Sequence, residues 1–291
     1  MSDIIDNFRQ QLNDDLDSFY LIHGNNILAK IQDNRSLDVL KKIIPKYNAF
    51  KILNNKLIGY TDEIISQRVE SLNFYYDFLK ENSFDTVFSS QSKFRSTILE
   101  EFMYYLFRDF LKEKKEDIEV GSNDFLKLGS VKAYTNLYFK ARNASDFINS
   151  PQIGINQKDQ DFSIYRTLNL RVEDQSFNTN IPIISLENKT YLDKTMLEGS
   201  IATAEKIKSG NPYSFFGIVT ETYDVSFDVD PAYSRIDQIY VLRKSKRREA
   251  DRNSLPICSD VVIKLFDDSK HHFEKEWSDI ENKLNDIGTI I

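Results

Sequence analysis

The sequence predicts a mixed α/β protein: a mixed central sheet flanked by helices and preceded by a helical N-terminal region. Three observations predict it. Apolar residues recur at three-to-four spacing through the first 90 positions. Runs with strand character cover residues 131–139, 162–172 and 181–189, and two more follow at 214–221 and 236–243. One amphipathic helix separates the two groups, so strand, hairpin, helix and strand succeed each other in an order that packs as a sheet between helices.

The 291 residues suffice for one large or two small domains, and the change in pattern divides them into a helical region, 1–90, and a second unit, 91–291. Charged residues make up 29% and apolar ones 41%, a balance that can bury a core rather than remain disordered. The net charge of -7 excludes a uniformly basic surface but leaves room for a local basic groove. With Cys258 alone, neither an internal disulfide nor a cysteine metal cluster can form. His23, His271 and His272 leave little for histidine chemistry. There is no run of about 18 apolar residues and no signal-like start, so the expectation is a cytoplasmic protein without a membrane span.

Within the first region, helices are expected over Asp3–Leu28, Ser36–Tyr47 and Thr61–Lys80, with breaks at Gly24-Asn-Asn26 and Asn54-Asn55. A long helix follows over Phe94–Lys112, opened by Ser96 as N-cap. Its apolar arc is wide and encloses Glu100, which falls between Phe107 and Leu111 on a helical wheel. A carboxylate on a buried arc needs a partner. Glu101 falls beside Arg108 on the polar side, where a solvated pair is expected. Residues 112–117 read as a charged turn, Val131–Phe139 as the first core strand, and Asn143–Gln157 as a polar loop.

The centre of the pattern is Ile181-Pro-Ile-Ile-Ser-Leu-Glu-Asn-Lys189, an apolar strand that ends with Glu187 and Lys189 side by side on one face. The preceding strand, Phe162–Val172, pairs with it as an antiparallel hairpin centred near Asp174. Setting Asp161 against Glu187 also sets Phe162 by Leu186, Ser163 by Ser185, Ile164 by Ile184 and Tyr165 by Ile183, polar on polar and apolar on apolar. Facing carboxylates about 5 Å apart suit a shared hard cation such as Mg²⁺. Asp159, which falls opposite Lys189, is the rival aspartate.

After Lys189, Asp193 should cap a helix running to about Lys208 and ended by Ser209-Gly210-Asn-Pro212. Beyond the last strand, Arg243, Lys244, Lys246, Arg247, Arg248 and Arg252 outnumber Glu249 and Asp251, a local reversal of charge in an acidic chain. Residues 256–287 read as two helices, with Trp277 and the His pair in the second; adjacent histidines make a poor ligand pair.

An Asp followed by Glu-x-Lys on paired strands resembles the PD-(D/E)xK nuclease superfamily. Three words extend the likeness: Arg95-Ser-Thr-Ile-Leu-Glu-Glu-Phe102, Lys158-Asp-Gln-Asp-Phe162 and Glu187-Asn-Lys-Thr-Tyr-Leu-Asp-Lys-Thr-Met196. Together they resemble the type II restriction endonucleases similar to BbvCI, over roughly residues 94 to 245. One departure stands out, since Gln160 occupies the place of the superfamily's proline.

The resemblance implies a restriction-endonuclease-like core and Mg²⁺-dependent hydrolysis of double-stranded DNA at a short specific sequence, of the CCTNAGC kind in that group. It makes Asp161, Glu187 and Lys189 the catalytic residues, with Asp161 and Glu187 as metal ligands and Glu100 as a further carboxylate of the metal site. Lys246, Arg247 and Arg248 are then candidate phosphate contacts. Cutting both strands calls for a second nuclease subunit, related or identical. Residues 1–90 become either a helical cap or a module that reads DNA or docks that subunit. Two other functions fit the same residues: a repair or nicking nuclease of the superfamily, and a non-catalytic DNA-binding or assembly subunit.

Overall fold

A computed structural model describes residues 3–33, 36–88, 93–117, 126–172, 175–278, 280–286 and 288. Four helices come first, α1 (Asp3–Asn13), α2 (Ile22–Gln32), α3 (Leu37–Lys56) and α4 (Asp62–Glu81). The long helix α5 spans Ser96–Asp117. The remainder is β1 (Leu126–Lys140), α6 (Ala144–Asn149), β2 (Gln152–Val172), β3 (Gln175–Lys189), α7 (Lys194–Gly210), β4 (Phe215–Thr220), β5 (Gln238–Val241), α8 (Arg247–Asn253), α9 (Ser259–Glu274) and α10 (Ile280–Asp286).

The five strands lie in sequence order. β1, β2 and β3 are antiparallel neighbours, while β3, β4 and β5 run parallel, so the sheet is mixed as expected. The parallel step from β3 to β4 is made by α7, because parallel neighbours need a long crossover. Asp193 caps that helix as predicted, its Oδ1 accepting from Met196 N at 2.8 Å. Gly210 ends it against β1, where a Cβ would lie 2.2 Å from the Thr135 carbonyl oxygen, so no larger residue fits.

One face of the sheet packs on α5 and α9, with the Phe107 ring stacked on Phe162 at 5.4 Å and on Phe266 at 5.5 Å. Residues of α1 to α4 belong to this same continuous core. A smaller core under α7 holds Leu197, Ala204, Ile207, Phe216 and Ile218.

Several expectations change. Gly24-Asn-Asn26 is no break but part of the first turns of α2, and Asn54-Asn55 lies within the last turn of α3. Residues 112–117 continue α5 instead of turning. Ser96 is the first residue of α5, and its hydroxyl bonds back to the Lys93 carbonyl at 3.2 Å rather than capping. The loop expected over 143–157 contains α6 and the first part of β2. His271 and His272 close α9, the first of the two terminal helices. Trp277 lies between them, donating from its indole nitrogen to the His272 carbonyl.

The predicted hairpin register holds for Phe162–Leu186, Ser163–Ser185 and Ile164–Ile184, then shifts so that Tyr165 pairs with Pro182. One extra residue, Ile183, is accommodated as a bulge. Pairing continues to Val172–Gln175; the expected centre at Asp174 lies outside the described residues.

Candidate active site

The β2–β3 ladder stops at Phe162–Leu186, and the residues just past that end form the site. Asp161 is held to β3 by its Oδ2, which accepts from Asn188 N at 2.9 Å. Glu187 Oε1 pairs with Lys189 Nζ at 2.7 Å. Both side chains are about four-fifths covered, with 20% and 24% exposure. The other oxygen, Glu187 Oε2, is buried and has no hydrogen-bond partner. On the same side below the strands, Ser163 and Ser185 share a hydrogen bond of 3.1 Å.

Glu100 reaches this cluster from α5. Burial first, and then the negative Asp161, push its carboxyl up to about 7, with Lys93 and Lys189 opposing. Burial also raises Asp161, against the pull of Lys189 and the Asn188 N–H. The same four groups thus act on one another, and Lys93 joins them from the turn before α5. Asp159 does not share in this: it is exposed and pairs with Lys132 of β1, because β2 parts from β3 at this point. Among the described residues, no three His, Cys, Asp or Glu side chains form a single metal-holding group. Asp161 and Glu187 therefore stand as a pair, with Glu100 beside them.

Hard carboxylate oxygens, one of them buried without a donor, suit Mg²⁺, which commonly takes one or two carboxylates and fills its other positions with water and substrate phosphate.

A cavity of about 310 Å³ opens next to the cluster, lined in part by Lys93, Arg95, Thr190, Tyr191, Arg243 and Arg247. Its floor is the buried Glu221, gripped by Arg95 at 3.2 and 2.9 Å and by Arg243 at 3.0 Å. These cations hold the Glu221 carboxyl below its usual range despite complete burial. Of the expected phosphate contacts, Arg247 lines this cavity with its guanidinium 4.7 Å from the Tyr191 ring centre. Lys246 lies over Phe227 at 4.4 Å, and Arg248 is exposed on α8. They are neighbours of the candidate site and not part of it.

Glu101 corrects the sequence reading. It is fully buried rather than solvated beside Arg108, since α2 and α3 cover the face of α5 that a wheel leaves open. Its Oε2 accepts from His23 N at 2.9 Å and Gly24 N at 3.1 Å, and its Oε1 from the hydroxyls of Tyr47 at 3.0 Å and Tyr105 at 3.1 Å. It caps α2 from another helix by accepting from His23 N and Gly24 N in the first turn, so Gly24 lies within a helix instead of breaking one. Lys93, the Arg95–Glu221–Arg243 cluster and His23 also escaped the sequence reading. Arg95 and Arg243 were each named within other runs, but their meeting at Glu221 joins residues far apart in the chain.

A mixed sheet whose central strand delivers a carboxylate and a lysine beside a second strand's aspartate defines the restriction-endonuclease-like class of fold. The family model described as Bpu10I restriction endonuclease matches residues 91–256. The chain belongs to that family and is a type II restriction enzyme of the Bpu10I-like kind. A solved structure titled "native BbvCI A2B2 tetramer at low resolution" superposes with a TM-score of 0.66 at 21% identity, covering 86% of this chain and 94% of that one. It shares the fold. No curated protein matches the chain. No helix among the described residues is long and apolar enough to cross a membrane.

Proposed function

We propose that this chain is a Mg²⁺-dependent endonuclease of the PD-(D/E)xK type that hydrolyses DNA phosphodiesters at a short specific sequence in the cytoplasm. The observation that carries the proposal is the partnerless Glu187 Oε2, buried beside Asp161 and Lys189. Leaving a buried carboxylate oxygen without a donor costs free energy that a bound cation recovers. Asp161 and Glu187 would hold the ion. When bound, Mg²⁺ supplies Lewis acidity, easing deprotonation of the attacking water and neutralising charge on the phosphate.

Lys189 orients the water or meets the developing negative charge, and its pairing with Glu187 keeps it aimed along the strand end. Glu100 stands beside this pair, where it would act on a metal-bound water rather than as a third ligand. Arg247, lining the cavity, and Lys246 and Arg248 beside it hold duplex phosphates. Residues 91–291 form the nuclease unit in this reading, and 1–90 brace α5 or contact a second subunit. That subunit, related or identical, supplies the other strand's cut, an assembly in keeping with the BbvCI tetramer.

The test is Glu187→Ala: Mg²⁺-dependent cleavage should disappear while sequence-selective binding in Ca²⁺ persists. Asp161→Asn should be as damaging, and Asp159→Asn nearly silent. Turnover by Glu187→Ala in Mg²⁺ would sink the assignment, and a silent Asp161→Asn with a dead Asp159→Asn would move the metal site two residues along β2.

A further inference from the structure

Between its tip and Gln157, β2 pairs with β1 alone, so the two strands leave the sheet as a two-stranded ribbon. From Asn136 to Lys140 its register is regular: Asn136–Asn156, Tyr138–Gly154 and Lys140–Gln152 share one face, while Leu137–Ile155 and Phe139–Ile153 share the other. The first face is polar. The Tyr138 ring lies flat across Gly154, where a Cβ would come within 2.3 Å of it, and the amides of Asn136 and Asn156 meet at 3.4 Å. Asn136, Lys140, Gln152 and Asn156 are all exposed.

Resting on the nuclease reading above, we propose that this ribbon enters a groove of the duplex and that Asn136, Lys140, Gln152 and Asn156 read base edges there. Shape, chemistry, charge and reach agree. A major groove about 12 Å wide admits a two-stranded β-ribbon, and Asn or Gln pairs with adenine and Lys with guanine through hydrogen bonds at the groove floor. Four basic residues (Lys132, Lys140, Arg142, Lys158) face two acidic ones (Asp146, Asp159) over 130–160, the reverse of the chain's net charge of -7. β2 is one continuous strand from Gln152 through Asp161. At about 3.3 Å per residue, Asn156 and Gln152 lie roughly 17 and 30 Å from Asp161. With 3.4 Å per base along a strand, that is about five to nine base pairs from the cut phosphate. Gln152 and Asn156 of the reading face lie on the same strand as Asp161, across two register shifts of the β1–β2 pair, so one element sets the distance from site to cut.

The experiment uses the full-length protein, produced together with any nuclease subunit encoded beside it. A random duplex library is cut in Mg²⁺ and the ends are sequenced, and competition binding in Ca²⁺ compares the favoured site with a scrambled duplex. The triple variant Asn136→Ala, Gln152→Ala, Asn156→Ala should lose discrimination about tenfold or more, as expected when hydrogen bonds to base edges are removed. Its affinity for the scrambled duplex should change by less than about threefold, because phosphate contacts dominate that term. Leu137→Ser with Phe139→Ser, on the opposite face, should keep the site preference. Unchanged selectivity in the triple variant, with a wild type that cuts selectively, overturns the ribbon proposal alone. Weaker binding to every duplex together with a smaller assembly overturns it in favour of a subunit contact. A wild type that neither cuts nor selects any duplex overturns the nuclease reading and the ribbon proposal together.

Discussion

Glu101 and Glu187 are both withdrawn from water, yet their surroundings are opposite. Glu101 has every near donor a carboxylate can use, two backbone N–H groups and two tyrosine hydroxyls, collected from α2, α3 and α5. Glu187 has one oxygen on Lys189 and the other on nothing. A carboxylate with filled valences serves as an internal staple, and removing it strands its donors. A buried carboxylate oxygen left short of donors costs stability, which a bound cation would recover.

The stability of the two truncations separates these roles most sharply. Glu101→Ala should lower unfolding free energy in urea by on the order of 3 kcal/mol or more, since four buried donors lose their acceptor. Glu187→Ala should change it by less than about 1 kcal/mol. If Glu187→Ala proves the more destabilising, Glu187 is a structural residue and the contrast collapses.

A smaller effect concerns pH. Burial pushes Glu101 up to about 7, above its ordinary 4.5, so the folded state binds the extra proton and this group's contribution to stability is lost as pH rises from 4.5 to 7. His23, buried against Thr97 and Tyr75 and repelled by Lys30, is pushed down to about 3 from 6.5. Its contribution has the other sign: it is present above 6.5 and lost as pH falls toward 3. Between 4.5 and 6.5 the two slopes oppose each other in the wild type. Glu101→Gln removes one of them, so the variant's stability should rise with pH across that window more steeply than the wild type's; a chemical-denaturation series at several pH values checks this, and parallel profiles would refute it.

The smallest effect lies outside both carboxylate sites. Replacing Lys246, Arg247 and Arg248 together by Gln should weaken binding to any duplex and reduce the log–log salt slope by up to about three, roughly 0.9 for each phosphate no longer neutralised. Stability and site preference should hardly move, because phosphate contacts position without reading bases. An unchanged slope would assign these side chains to solvent.

How much of this was legible in the chain depends on how far apart the interacting residues are. The β2–β3 register at Ser163–Ser185 and the Asp193 cap were readable, since hairpin pairing and capping join residues close in sequence and leave a pattern of polar and apolar matches. The shift at Ile183 was not, because a bulge changes pairing without changing composition. Of the ribbon, 136–139 was read as strand but 152–157 as loop, because Pro151, Gly154 and Asn156 carry turn signals that mask the short alternation of Ile153 and Ile155.

Periodicity, strand ends and local caps thus follow from neighbouring residues alone, and with them the mixed sheet and the placing of Asp161, Glu187 and Lys189 at one edge. Which α5 carboxylate is buried, and which turn starts α2, were decided only in three dimensions. A helical wheel describes one helix in isolation, whereas the environments of Glu100 and Glu101 are set by what packs on α5: strand ends on one side, and α2 and α3 on the other.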